Sequence, residues 1–108
     1  MTSLFYLAAA IALEICGTTS LKLSDGFTRI GPSAAVVVFY IASFVLLSLA
    51  LRGISLSVAY AVWSGVGTAA VAAIGIVWFG EAAGNWKLLS LALIVLGVAG
   101  LHLSESGS

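Results

Sequence analysis

Four long apolar runs, separated by short polar stretches, dominate the pattern of this chain. They cover residues 4–21, 32–51, 56–79 and 88–103. About 20 apolar residues in a helix match a hydrocarbon layer of roughly 30 Å. None of the runs shows the alternating pattern of a membrane-spanning strand. The pattern therefore predicts an all-α membrane protein with four transmembrane helices in a single domain, residues 1–108, and with both termini on the same side.

The polar stretches between the runs carry most of the charge and bear on orientation. Lys22, Arg29 and Lys87 fall in the first and third loops, whereas Arg52 is alone in the second. Basic residues favour the cytoplasmic side of a membrane. The small bias weakly favours both termini outside and also permits insertion in both orientations.

Composition supports the membrane prediction and removes other classes of function. The chain is 62% apolar and 7% charged, and its mean hydropathy is +1.23. Soluble domains have roughly 45–50% apolar and about 25% charged residues. The net charge is zero, so nothing indicates a nucleic-acid partner. Cys16 has no metal-ligand companions, and we expect no metal, no cofactor and no enzymatic activity.

Glu14 is the only charged residue inside the first run, and it lies near the middle. An uncompensated charge there costs roughly 2.5–3.5 kcal/mol on insertion scales, and such residues are functional candidates by default. Its helix face is shared with Leu7, Ala10, Ile11, Gly17, Thr18 and Leu21. The interpretation we favour is a cavity with an acid at its floor. The alternatives are a structural carboxyl and a close helix contact made by small residues.

Aromatic and hydroxyl side chains form stripes on the next two helices. The stripes consist of Tyr40, Ser43, Phe44 and Leu47 on the second helix and of Tyr60, Trp63, Ser64 and Gly67 on the third. An acid combined with aromatic faces can bind lipophilic cations, since each cation–π contact is worth roughly 0.5–2 kcal/mol. Core packing is the competing interpretation of each ring taken singly.

Small residues on the last two helices suggest a hinge and a subunit contact. Gly65 and Gly67 predict a kink in the third helix, with close packing as the alternative. The fourth helix has a face without ionisable groups, made of Ser90, Ile94, Gly97 and Leu101. We predict that this face contacts a second subunit, because four helices can hardly surround a cation and also open to both sides in turn. Lipid contact and packing within the chain are the alternatives. The chain contains no inverted repeat of the kind many transporters use, so two oppositely inserted copies would have to supply it.

Three stretches resemble the small multidrug resistance transporters, and the similarity extends over all four spans: LEICGTT at residues 13–19, SDGFTR at 24–29 and AYAVWSGVG at 59–67. The resemblance implies an antiparallel, dual-topology homodimer that exchanges protons for cationic drugs across a bacterial inner membrane. By that likeness Glu14 binds both proton and substrate, Gly65 and Gly67 form the kink, and the fourth helix dimerises. The helix faces and the resemblance together predict a substrate pocket of Leu7, Ala10, Ile11, Gly17, Thr18, Tyr40, Ser43, Phe44, Tyr60 and Trp63.

The resemblance also bears on the substrate. A second branch of the family exports guanidinium; its members tend to carry a tryptophan just after the glutamate and a glycine at the position of Ala10. This chain has Gly17 and Thr18 where those members have the tryptophan, which favours the branch that exports quaternary ammonium ions. A guanidinium exporter and a subunit that needs a paralogous partner remain alternatives within the family. Outside it, the alternatives are a proteolipid of a rotary ATPase and a purely structural four-span subunit.

Overall fold

The structure is a computed structural model, and it describes residues 2–106 of the chain. It contains α1 (Thr2–Leu23), α2 (Ile30–Ala50), α3 (Leu56–Val77) and α4 (Asn85–Ser106). Each helix is long and apolar enough to cross a membrane. The described residues include no β-strand. The predicted all-α fold with four spans is confirmed.

The ends of the helices differ from the ends of the apolar runs. The second helix begins at Ile30, two residues before Pro32, because proline is tolerated in a first helical turn whose N–H groups lack helical partners. The third helix ends at Val77, short of the predicted residue 79, and Gly80 follows with a φ of 70°. The fourth helix starts at Asn85, three residues early, since backbone hydrogen bonding continues into polar sequence.

The described chain divides into two compact units, one ending at Ile54 and the other beginning at Ser55. The first unit contains α1 and α2, and the second contains α3 and α4. The single domain over residues 1–108 stays a prediction. Met1, Gly107 and Ser108 of that range lie outside the described residues.

A close contact between α1 and α2 organises the first unit. The buried residues of the two helices are Leu7, Ala10, Ile11, Gly17, Val36, Ser43, Leu47 and Ala50. The hydroxyl of Ser43 is fully buried and donates a hydrogen bond to the carbonyl oxygen of Ala10 at 2.6 Å. The ring of Tyr40 lies over Gly17, where an added Cβ would come within 2.7 Å of Cδ1 and Cε1. We call this space over Gly17, filled by the Tyr40 ring, the Gly17 notch.

A tight left-handed turn joins α1 to α2. Asp25, Gly26 and Phe27 have φ values of 49°, 70° and 66° in succession, a region that costs side-chain-bearing residues roughly 1–2 kcal/mol each. Ser24 compensates because its buried hydroxyl donates to the carbonyl of Leu21 at 2.7 Å and accepts from the N–H of Phe27 at 3.2 Å. The turn therefore fixes the direction in which α2 leaves α1.

The second unit is held by contacts around two glycines of α3. An added Cβ on Gly65 would meet the side chains of Ile94 and Val98, so α3 and α4 approach each other closely there. The carboxylate of Glu81 covers Gly75, and the Glu81 N–H donates to the Gly75 carbonyl at 3.0 Å. Lys87 Nζ lies 3.2 Å from Glu81 Oε1, an exposed pair that contributes about 0–1 kcal/mol at most.

Replacing Gly17 by alanine tests the contact between α1 and α2. The new methyl group would collide with the Tyr40 ring, and overpacking of this kind costs about 1–3 kcal/mol. We expect Gly17→Ala to lower the free energy of unfolding by that amount in a titration with a denaturing detergent.

The matched control is Gly100→Ala in α4, because nothing lies within 4 Å of an added Cβ on Gly100. Alanine favours a helix over glycine by up to about 1 kcal/mol, so the control should be neutral or slightly stabilised. Equal stability of the two variants would show that the notch is not filled by Tyr40.

Candidate functional site

The carboxyl group of Glu14 lies in the middle of α1 and is held on one side by its own helix. Thr18, one turn further along, donates a hydrogen bond from Oγ1 to Glu14 Oε1 at 2.9 Å. Both side chains are partly buried. The spacing of four residues places them on one face of the helix, as expected from the sequence.

Tyr40 of α2 extends this contact across the helix pair. Its hydroxyl lies 2.6 Å from Thr18 Oγ1. The distance is short because Gly17 lets the aromatic ring lie directly against the α1 backbone. Tyr40, Thr18 and Glu14 therefore form one continuous chain of hydrogen bonds, which we call the hydroxyl relay.

The second carboxyl oxygen of Glu14 is in a different position. Oε2 is buried and has no hydrogen-bond partner among the described residues. An unsatisfied buried polar atom costs about 1–3 kcal/mol, and more when it is charged. This oxygen can be satisfied by a proton of its own or by a bound cation.

The other small residues predicted to line a pocket are packed against neighbours. Ala10 is fully buried, with its carbonyl bonded to Ser43, and Gly17 is covered by Tyr40. Leu7 and Ile11 are also buried. These positions make the close helix contact that was the alternative interpretation of the small residues, and their place in a substrate pocket stays a prediction. Phe44 is exposed.

Tyr60 and Trp63 form an aromatic pair in the second unit. Their ring centroids are 5.7 Å apart with an angle of 36° between the ring planes. Tyr60 is 57% exposed, which is unusual for a tyrosine in the interior of an apolar span. The pair presents π-faces that a cation could contact. Their joint role with Glu14 stays a prediction.

The predicted kink lies in α3, and the predicted contact with a second subunit lies on α4. Helix α3 runs unbroken through Gly65 and Gly67, while Gly65 packs closely against Ile94 and Val98. Ser64 and Thr68 donate their hydroxyl hydrogens to the carbonyls four residues earlier, at 2.7 and 2.6 Å, a pattern that often bends helices.

The remaining residues of the predicted dimer face, which are Ser90, Gly97 and Leu101, are exposed. An added Cβ on Gly97 would meet nothing within 4 Å. The kink and the contact with a second subunit stay predictions.

Comparison with known proteins identifies the family. The family model described as Small Multidrug Resistance protein matches residues 2–94. This chain belongs to the small multidrug resistance family. Multidrug resistance protein EbrB of Bacillus subtilis is 46% identical over 106 residues, which cover 98% of this chain and 91% of EbrB.

Two further relatives carry names from both branches of the family. Quaternary ammonium compound-resistance protein QacE of Escherichia coli is 41% identical over 108 residues, covering 100% of this chain and 98% of QacE. A guanidinium exporter of Proteus vulgaris is 44% identical over 93 residues, covering 86% of this chain and 89% of the exporter. The chain is thus similar to relatives named for each of the two substrate classes.

Family membership and the four apolar helices together make this small multidrug resistance protein a multi-pass protein of the bacterial inner membrane. The family and EbrB are named for multidrug resistance, and the Proteus vulgaris relative is named for export. That the chain has no enzymatic activity stays a prediction. Among the described residues no cluster of three or more His, Cys, Asp or Glu could hold a metal ion.

Two features of this family member were missed from the sequence. The first is the sequence of hydrogen bonds in the hydroxyl relay, from Tyr40 to Thr18 to Glu14. It depends on which atoms of Tyr40 reach α1, and helical periodicity does not predict this. The pairing of Lys87 with Glu81 was also missed, although opposite charges six residues apart across a glycine-containing loop were a usable signal.

Proposed function

We propose that this protein is a proton-coupled antiporter that exports lipophilic and quaternary ammonium cations, with Glu14 binding either a proton or the substrate. The observation that carries the proposal is the state of its carboxyl group. Oε1 is held by Thr18, whereas Oε2 is buried without a partner among the described residues. A carboxylate in this position needs a positive partner, and both a proton and a cation can provide one.

Competition for one negative charge explains the exchange. An ionised carboxylate removed from water is costly unless a cation compensates it. Protonation removes the charge and the need for a cation. The site therefore holds a proton or a substrate, and binding one releases the other.

Directional transport requires that only loaded states change access. If the empty, ionised site changes its access poorly because its charge stays uncompensated, Glu14 must be protonated before the site can open again to the inside. Each such return then carries a proton inward. An inward proton gradient then drives the cation outward. This is the mechanism that we propose for Glu14.

We further propose that two copies insert antiparallel and form the transporter together. No described residue of α4 is buried within the chain, and its small residue Gly97 faces open space. Small residues let transmembrane helices approach closely. A second, inverted copy would supply the symmetry that a single chain lacks.

The aromatic pair of Tyr60 and Trp63 favours organic cations as substrates. The rings lie 5.7 Å apart, and their faces attract a cation whose charge is spread over apolar groups. The name of the relative QacE, which refers to resistance to quaternary ammonium compounds, supports the same class.

Guanidinium export is the second candidate function. It is favoured by the 44% identity to the guanidinium exporter of Proteus vulgaris. Guanidinium is small and planar, and a carboxylate can accept two parallel hydrogen bonds from it. Proton release by purified protein on addition of guanidinium, but not of a quaternary ammonium ion, would establish this alternative. A transporter that also needs a paralogous subunit would release protons only when both chains are present.

Replacing Glu14 by glutamine tests the proposed exchange. Glutamine keeps the size of the side chain but can neither ionise nor release a proton. We expect Glu14→Gln to abolish both the binding of benzyltributylammonium and the proton release that accompanies it, measured by calorimetry and with a pH indicator in weakly buffered detergent solution.

The control is the same substitution in the loop, Glu81→Gln, where the carboxylate is 48% exposed and pairs with Lys87. It should leave both signals unchanged. Gradient-driven export that persists in Glu14→Gln vesicles would overturn the proposed function.

Replacing Trp63 by alanine tests the aromatic contribution. Loss of one cation–π contact, worth roughly 0.5–2 kcal/mol, should weaken binding of benzyltributylammonium by about 2- to 30-fold and leave guanidinium binding nearly unchanged. The control Trp78→Ala removes an exposed tryptophan that stacks on Phe79 and should affect neither ligand. An equal loss for both ligands in Trp63→Ala would argue against stacking.

A further inference from the structure

We propose that Thr18 and Tyr40 are positioning residues that hold Oε1 of Glu14 through a one-way chain of hydrogen bonds, so that Oε2 alone exchanges proton for cation. The inference deepens the proposed function and rests on it. It assigns different tasks to the two oxygens of one carboxyl group. It also takes the two hydroxyls out of direct contact with the substrate and makes them act on the carboxyl.

Counting hydrogens gives the direction of the chain. A threonine hydroxyl has one hydrogen to donate, and that of Thr18 goes to Glu14 Oε1 at 2.9 Å. At the 2.6 Å contact with Tyr40, Thr18 can then only accept, so the tyrosine donates. Both donated hydrogens point toward the carboxylate, an arrangement in which each bond strengthens the next.

The helix contact fixes this arrangement in space. Ala10 and Thr18 lie one turn before and one turn after Glu14. Ser43 of α2 bonds to the Ala10 carbonyl at 2.6 Å, and Tyr40 of α2 bonds to Thr18. Helix α2 is thus tied to α1 on both sides of the carboxyl group, and the Gly17 notch lets the Tyr40 ring lie against the α1 backbone.

The same restraint explains why Oε2 stays without a hydrogen-bond partner among the described residues. With Oε1 held by Thr18, the carboxyl group cannot turn to exchange its two oxygens without breaking the relay. Oε2 is therefore kept in a buried position with no protein partner among the described residues. A proton at this oxygen would remove the charge of the carboxylate, and a bound cation would compensate it.

The charged and titratable groups around the relay are few. Helix α2, which packs against this face of α1, contains no charged residue, and Tyr40 is its only titratable side chain. Helix α1 itself carries Tyr6, Cys16 and Lys22 besides Glu14. Within residues 2–106, the side chain that donates a hydrogen bond to the carboxyl group is the neutral Thr18.

The relay predicts a shift in the pH profile of cation binding. Hydrogen bonds to a charged group are stronger than those to a neutral one, so the relay favours the ionised, cation-binding form. Thr18→Val keeps the branched shape and removes the hydroxyl. We expect Thr18→Val to weaken benzyltributylammonium binding mainly at lower pH, by roughly tenfold, because the proton competes better with the cation once the relay is lost.

The serial order of the relay predicts how two substitutions combine. Tyr40→Phe keeps the ring in the Gly17 notch and removes only the donor to Thr18, so it should shift the profile upward by less than Thr18→Val. The double variant should match Thr18→Val alone, because Tyr40 acts on Glu14 only through Thr18. Thr18→Ser should restore the original profile. Ser48→Ala, which removes an exposed hydroxyl of α2, should not change it.

The measurements separate failure of the relay from failure of the proposed function. An unshifted profile in both Thr18→Val and Tyr40→Phe, or shifts that simply add in the double variant, would overturn the relay while proton release remains normal. A uniform loss of affinity at every pH would reveal a packing role and overturn it as well. If Thr18→Val does not fold, Tyr40→Phe decides alone, because its ring contacts are preserved. Proton release that persists in Glu14→Gln would instead overturn the proposed function.

Discussion

The structure of the α1–α2 pair depends on one constraint, which is that a carboxyl group within hydrocarbon needs hydrogen-bond or charge partners. Water cannot solvate Glu14 in mid-span, so each of its oxygens must find a hydrogen bond, a proton or a cation within the protein. Thr18 satisfies one oxygen and the described residues leave the other unsatisfied. A fully satisfied carboxyl would be a stable structural element with little reason to bind anything. In the proposed function, this incomplete satisfaction makes Glu14 available for exchange.

Close approach of two backbones makes this partial satisfaction possible. The Tyr40 hydroxyl reaches Thr18 only because residue 17 lacks a side chain, and the Ser43 hydroxyl reaches a carbonyl of α1 at Ala10. In lipid, where apolar contact between helices gains little over contact with acyl chains, packing of small residues and interhelical hydrogen bonds hold the pair together. The left-handed turn at residues 25–27 fixes where α2 starts. The geometry of the acid is therefore a consequence of how α1 and α2 pack.

The fold was predictable because bilayer thickness sets the length of an apolar helix, and the four runs in this chain have that length. The ends of the helices were less predictable. Pro32 can lie inside the first turn of α2, and Asn85 can start α4 although it is polar. For the site, helical periodicity correctly placed Thr18 on the face of Glu14. It could not tell whether Gly17 opens a cavity or admits a ring, because both need a small residue. That distinction depends on the side chain opposite, Tyr40, and only the structure supplies it.

A hydroxyl group near the acid can have one of two roles: it can face the substrate or hold the carboxyl group. A hydroxyl that faces the substrate would have to change partners each time a cation arrives, and its contribution would depend on the shape of the cation. Tyr40 bonds to Thr18, and Thr18 bonds to Oε1, so these partners need not change in the proposed exchange at Oε2. A carboxyl group held in this way presents the same oxygen to every cation. In the proposed function, recognition by charge tolerates many substrate shapes, and the proposed role of the α3 rings is to favour cations with apolar groups.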